Sequence, residues 1–131
     1  MIQDLLNIAD SLCRVHLAKT NPNGDDPICA LKGSPVEWEW WQMYKRKKGG
    51  ERFPEPTKYI VSFAQTSPRS NVFLFGGIFE ILDRTGDCYK VQLLSLCQDR
   101  IRRLKIRYNG NPGMATVFTP THIIKNCEIV E

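Results

Sequence analysis

The sequence predicts one α+β domain, a mostly antiparallel β-sheet or barrel with helices ahead of it. Three observations carry that reading. The chain has 131 residues, a size at which a single core can be buried without covalent staples and two separate cores cannot. Its 42% apolar and 24% charged residues are the proportions of a globular chain rather than a disordered one. The hydrophobic period also changes along the chain, from helix-like spacing in parts of the first 46 residues to alternation from Lys58 onward.

Ile2, Leu5, Leu6 and Ala9 have the spacing of a short amphipathic helix that lies as a lid on the core. Cys13, Val15 and Leu17 alternate with Arg14, His16 and Ala18, which predicts a strand. Thr20 to Asp26 is a loop by its Asn-Pro-Asn-Gly chemistry. Ser34-Pro35-Val36-Glu37 has an N-cap serine, a proline at the first helical position and a glutamate that can close a capping box. That signature predicts a helix through Trp38, Trp40, Trp41 and Tyr44 to about Arg46, stopped by Gly49-Gly50.

Lys58 to Gln65, Val72 to Asp83 and Tyr89 to Leu96 then read as strands, the last two joined by a hairpin at Thr85-Gly86-Asp87. Ile101 to Tyr108 reads as the next strand. Met114 to Phe118 follows the Asn109-Gly110-Asn111-Pro112-Gly113 turn, and Ile123 to Val130 ends the sheet. A glycine pair, Gly76-Gly77, interrupts the longest strand, where it predicts a bulge, a barrel corner or a closely approaching ligand.

No run reaches the roughly 18 apolar residues of a membrane span, and no charged leader precedes an apolar block, so the expected location is cytoplasmic. The five cysteines, Cys13, Cys29, Cys88, Cys97 and Cys127, are scattered without zinc-like spacing and read as reduced core thiols. His16 and His122 stand outside any metal or triad motif, the acids are unpaired in sequence, and phosphate-loop glycine patterns are absent. The expectation is a chain with no catalytic residues, no metal and no cofactor of its own.

Net charge is +4, and ten of the eighteen basic residues fall in two windows: Lys45, Arg46, Lys47, Lys48 and Arg52, then Arg100, Arg102, Arg103, Lys105 and Arg107. If the second window is a strand, Arg103, Lys105 and Arg107 share one face and Leu104, Ile106 and Tyr108 the other. Such a stripe suits the repeated charge of a nucleic-acid backbone, and it equally suits a solvated edge strand guarded against aggregation. The first window, with its two glycines, fits a backbone-binding loop or a solubilising one. On a helix Trp38 and Trp41 share a face from which Trp40 is turned away, so one tryptophan is expected at the surface as a stacking wall, against the plainer alternative of a large core helix. Ser62 and Gln65 offer polar contacts to a base edge, or to water.

The blocks Trp41-Gln42, Lys58-Tyr59-Ile60-Val61-Ser62-Phe63 and Phe73-Leu74-Phe75-Gly76-Gly77-Ile78-Phe79-Glu80-Ile81 resemble the PUA-like modules related to EVE and YTH domains. These occur beside GIY-YIG nuclease domains and in modification-dependent restriction proteins of the McrBC type. The similarity extends through Arg14-Val15-His16-Leu17-Ala18 and Ile101-Arg102-Arg103-Leu104-Lys105-Ile106, short motifs across most of the chain. The resemblance implies a small curved β-barrel flanked by helices, in which an aromatic pocket takes a flipped or unpaired modified base. Matched residue by residue, it places the pocket at Trp40, Trp41, Ser62 and Phe63, beside which Tyr44 is a further candidate, and the backbone contacts at Lys45, Arg46, Lys47, Lys48 and Arg52, to which the strand adds Arg103, Lys105 and Arg107. No Gly-Ile-Tyr and Tyr-Ile-Gly pair is present. The expected function is thus a DNA-binding specificity module for a modified base, serving a restriction or defence nuclease or motor domain in cis or in trans. RNA binding on the same fold, or a protein-interaction role, are the rival expectations.

Overall fold

The structure, a computed structural model, describes residues 5–19, 40–42, 52–67, 69–84, 88–113 and 115–130. They form one mixed sheet of eight strands that is not closed into a barrel. The strands are β1 (Cys13–Ala18), β2 (Trp40–Gln42), β3 (Tyr59–Gln65), β4 (Val72–Asp83), β5 (Cys88–Leu93), β6 (Lys105–Tyr108), β7 (Val117–Phe118) and β8 (Cys127–Val130). A single described α-helix, α1 (Pro120–Asn126), joins β7 to β8. The main path runs β2-β5-β4-β3-β1-β7, and β6 and β8 extend it from the first half of β4. All pairings are antiparallel except β1 with β3.

β4 organises the molecule. Its first half pairs with β6, its second half with β5, and most of its length with β3. The expected irregularity at the glycine pair is a bulge: Ser62 faces Gly77 while Phe63 faces Phe75, leaving Gly76 as the extra residue. Because one inserted residue inverts the alternation, Phe73 and Phe75 before it and Ile78 after it all reach the same core. Gly77 takes φ +119°, a conformation that a side chain would oppose, and an added Cβ there would lie 2.6 Å from Leu93 Cδ1.

Both faces of the sheet are covered. The larger core gathers Leu5, Leu6, Val15, Leu17, Val61, Phe63, Phe73, Phe75, Ile106, Tyr108 and Ile123. The smaller one, on the other side of β3, holds Phe53, Ile60, Phe79, Tyr89 and Val91. Cys13 and Cys127 are buried, and burial pushes both thiols up to about 12, so they stay protonated and apolar at neutral pH.

Three expectations are corrected. Residues 40–42, read as the middle of a helix, are a strand paired with Lys90, Tyr89 and Cys88, so the cross-strand ladder overrides the local helix signature; tryptophan itself favours strands. Ile123 to Asn126, read as strand, belongs to α1, whose N-cap is Thr119 with its hydroxyl accepting from the His122 N–H at 3.2 Å and Pro120 following. Ile101 to Arg103 is a turn rather than strand, because Arg102 adopts φ 69° and the Leu104 N–H folds back to the Arg100 carbonyl at 3.0 Å. The Thr85 to Asp87 hairpin lies outside the described residues, although its flanking strands pair antiparallel.

Candidate nucleic-acid interface

β6 keeps the alternation that its sequence predicts. Ile106 and Tyr108 are buried, and Lys105 and Arg107 are exposed. Arg107 lies 3.6 Å from Glu128 on β8, an exposed pair of a kind worth little to stability. Lys105 has no hydrogen-bond or ion-pair partner among the described residues. Arg103 is exposed as well, but it sits in the preceding turn and not on the strand face. The predicted stripe of three is therefore two strand residues with turn arginines beside them.

Where β6 ends, the chain runs into a cleft of about 530 Å³. Its walls are the β3–β4 connection, with Arg69 and Asn71, and the loop after β6, with Asn111. Lys19, just past β1, Gln65 and Phe73 also line it, and none of the described lining residues is acidic. The first wall is tightly tied. The Thr66 N–H donates to Val72 O at 3.1 Å, the Val72 N–H to Ser70 Oγ at 3.1 Å, and Gln65 Nε2 to Ser70 O at 2.7 Å. It joins β6 through the Tyr108 N–H, which donates to Asn71 O at 2.8 Å, and through Asn71 Nδ2, which reaches Tyr108 O at 3.3 Å. The second wall is braced by the Lys19 ammonium donating to Gly113 O and by the Gly113 N–H donating to Asn111 Oδ1 at 2.9 Å.

The predicted base pocket is distributed differently. Trp40 and Trp41 are in β2, and two strands, β5 and β4, separate that strand from Ser62 and Phe63 on β3, a lateral span of about 14 Å in a sheet. The helical-face argument for an exposed tryptophan does not apply to a strand. Phe63 is 0% exposed and packs on Phe75 with ring centroids 5.5 Å apart. It is a core residue and cannot serve as a surface wall. Tyr44, Lys45, Arg46, Lys47 and Lys48 lie outside the described residues.

Ser62, on the face opposite Phe63, is buried, and its Oγ has no hydrogen-bond partner. Thr57 Oγ1 and Arg52 Nε are in the same condition. Burial lowers the Arg52 guanidinium from its ordinary value. Around these groups, the Phe53 N–H donates to Tyr89 Oη at 2.9 Å, and Arg84 donates to the carbonyls of Phe53 and Thr57 while its guanidinium stands 5.4 Å from the Tyr89 ring centroid.

Of the polar positions that the sequence offered to a base, Gln65 reaches the cleft. Lys19, Arg69 and Asn111 were not singled out, and the available signal was slight: an arginine inside the polar turn between two strands, and an asparagine between two glycines. No protein-family model, curated protein or solved structure matches this chain. The functional reading therefore rests on the residues themselves.

Proposed function

We propose that this chain is a nucleic-acid-binding module without catalysis of its own, which lays a sugar-phosphate backbone along β6 and takes an unpaired nucleotide at the adjoining cleft. The observation that carries it is that β6, with Lys105 and Arg107 exposed, runs on into the loop that lines a cleft whose described lining holds Lys19 and Arg69 and no acid. Cations on one side of a strand follow repeated phosphates. The polar lining beyond them supplies contacts of the kind that read a base edge. On this reading the open sheet is a variant of the curved PUA-like barrel that the sequence resembles, the selected base is a modified one, and the module works for a nuclease or motor domain.

A second reading, a protein-interaction role, draws on the other end of the sheet. Leu12 and Leu82 are 40% and 48% exposed, and the main chain ties both their segments to Lys58. That end is where a partner domain would dock while the cleft holds nucleic acid.

The test is an anisotropy titration with labelled single strands and duplexes of DNA and RNA, carrying unmodified, methylated and hydroxymethylated bases, at several salt concentrations. Single strands are expected to bind best, with affinity falling about tenfold between roughly 50 and 200 mM salt for two or three phosphate contacts. Binding that ignores salt, or none to any strand, would overturn the reading.

A further inference from the structure

Resting on that reading, we infer that Leu96, in the connection that leads into β6, is an apolar wedge that enters the base stack of the bound strand, with Arg103 on the phosphate beside it.

The connection from β5 to β6 is tied at both ends to the bulge of β4. At its start the Leu94 N–H donates to Ile78 O at 2.8 Å. At its end the Arg102 N–H donates to Phe75 O at 2.9 Å and the Phe75 N–H to Leu104 O at 2.8 Å. Between them Gln98–Arg100 makes a turn of 3-10 helix, and the Arg100 N–H donates to Cys97 O at 2.9 Å. Leu94, Cys97, Ile101 and Leu104 pack against the larger core. Ile101 Cδ1 would stand 3.3 Å from a Cβ on Gly77, so the missing side chain at the bulge gives this connection its seat. Leu96, the remaining apolar residue of the connection, is 57% exposed.

A lone exposed leucine is ordinary on a protein surface. Three things set this one apart. Its surroundings hold one conformation: Cys97 beside it and Arg102 take φ 58° and 69°, left-handed conformations that oppose a side chain and that persist where a structure fixes them, as at ligand-contacting segments. Its neighbours are charged, since Asp99, Arg100, Arg102 and Arg103 are all exposed, three cations against one carboxylate. The chain then runs directly from Arg103 to Lys105 and Arg107, so the leucine stands at the start of the cationic strand whose end leads to the cleft. A rigidly held apolar side chain among arginines can part stacked bases while the cations hold the flanking phosphates. The same composition suits an anionic lipid surface, and the continuity with β6 favours the nucleic acid.

The test uses single strands of one sequence with 2-aminopurine at each position in turn, because that base brightens when its stacked neighbour is moved away. The parent is expected to raise the signal at one or two adjacent positions. Leu96→Ala, checked for folding by circular dichroism and thermal melting, is expected to lose that rise and about tenfold in affinity, the scale of about two methylene-sized groups returned to water. Its salt dependence should stay that of the parent, since its phosphate contacts are intact. Leu96→Met keeps an apolar side chain of similar reach and is expected to retain the rise. Arg103→Ala is expected to lower affinity and salt dependence and to leave the rise in place at saturation.

If the parent binds with the expected salt dependence and no position brightens, or if folded Leu96→Ala brightens every position as the parent does, the wedge is overturned and the nucleic-acid reading stands. If no strand binds and the parent instead binds vesicles of phosphatidylcholine and phosphatidylserine through Leu96, the leucine is a lipid anchor and both fall. If it binds neither, both fall as well.

Discussion

The two ends of the sheet use positive charge in different ways. Where β3 begins and β4 finishes, Lys58 lies 3.8 Å from Glu80, and Arg84 lies 3.9 Å from Glu55 while donating to the carbonyls of Phe53 and Thr57. There both cations are paired, and Arg84 also ties the main chain at Phe53 and Thr57. Where β4 begins and β6 finishes, Arg69 and Lys105 have no acidic partner among the described residues, and Arg107 has one exposed partner. A charge that is already paired gains little from a ligand, whereas an unpaired one at a cleft has its interactions still to make. Pairing separates Arg69 and Lys105 from Lys58 and Arg84, with Arg107 and its exposed Glu128 partner between the two cases.

That contrast breaks most visibly at Arg84. Arg84→Ala removes the donor to two carbonyls and is expected to cost about 2–3 kcal/mol in urea unfolding. Its nucleic-acid affinity at a temperature where it stays folded should equal the parent's. A loss of affinity without a loss of stability would place the binding surface at the wrong end.

Ser62→Ala sharpens the comparison at mid-sheet. The buried hydroxyl lacks a partner, so its removal is expected to raise stability by up to about 1 kcal/mol and to leave binding unchanged. Should affinity fall in a variant that is no less stable, the ligand reaches β3, and the base pocket that the sequence predicted at Ser62 regains its place.

The smallest effect is a pH dependence at Asp10. Hydrogen bonds from the Thr121 side chain and from the Thr121 N–H, the latter at 3.0 Å, hold its carboxylate pKa below the ordinary range. A depressed folded-state value contributes stability above the unfolded value and loses it as pH falls through the folded one. Acid unfolding of Asp10→Asn should accordingly be slightly less steep below about pH 4. Identical acid limbs would show that the contact adds nothing.

Strand alternation was the most legible part of the sequence. β1 spans Cys13–Ala18 and β4 spans Val72–Asp83, as expected, because both alternate over enough residues to define a face, and the glycine pair marked its own bulge. Helix signatures were less reliable. Ser34-Pro35 and Thr119-Pro120 carry the same N-cap and proline pair, yet a strand begins five residues beyond the first proline and a helix begins at the second. The outcome depends on whether a sheet edge is available, and no local window contains that information. The cleft was illegible for a related reason. Lys19, Arg69 and Asn111 come from three separate connections, and only the parallel pairing of β1 with β3 and the return of β6 along β4 bring them together.

The most direct measurement of the central claim is the salt dependence of single-strand binding by the double variant Lys105→Ala, Arg107→Ala, beside the parent and Arg84→Ala. Each phosphate contact contributes about 0.7 to the slope of log affinity against log salt for single strands. The account predicts a slope shallower by about 1.4 in the double variant, with Arg84→Ala keeping the parent's slope. A double variant that folds and keeps the full slope would contradict it.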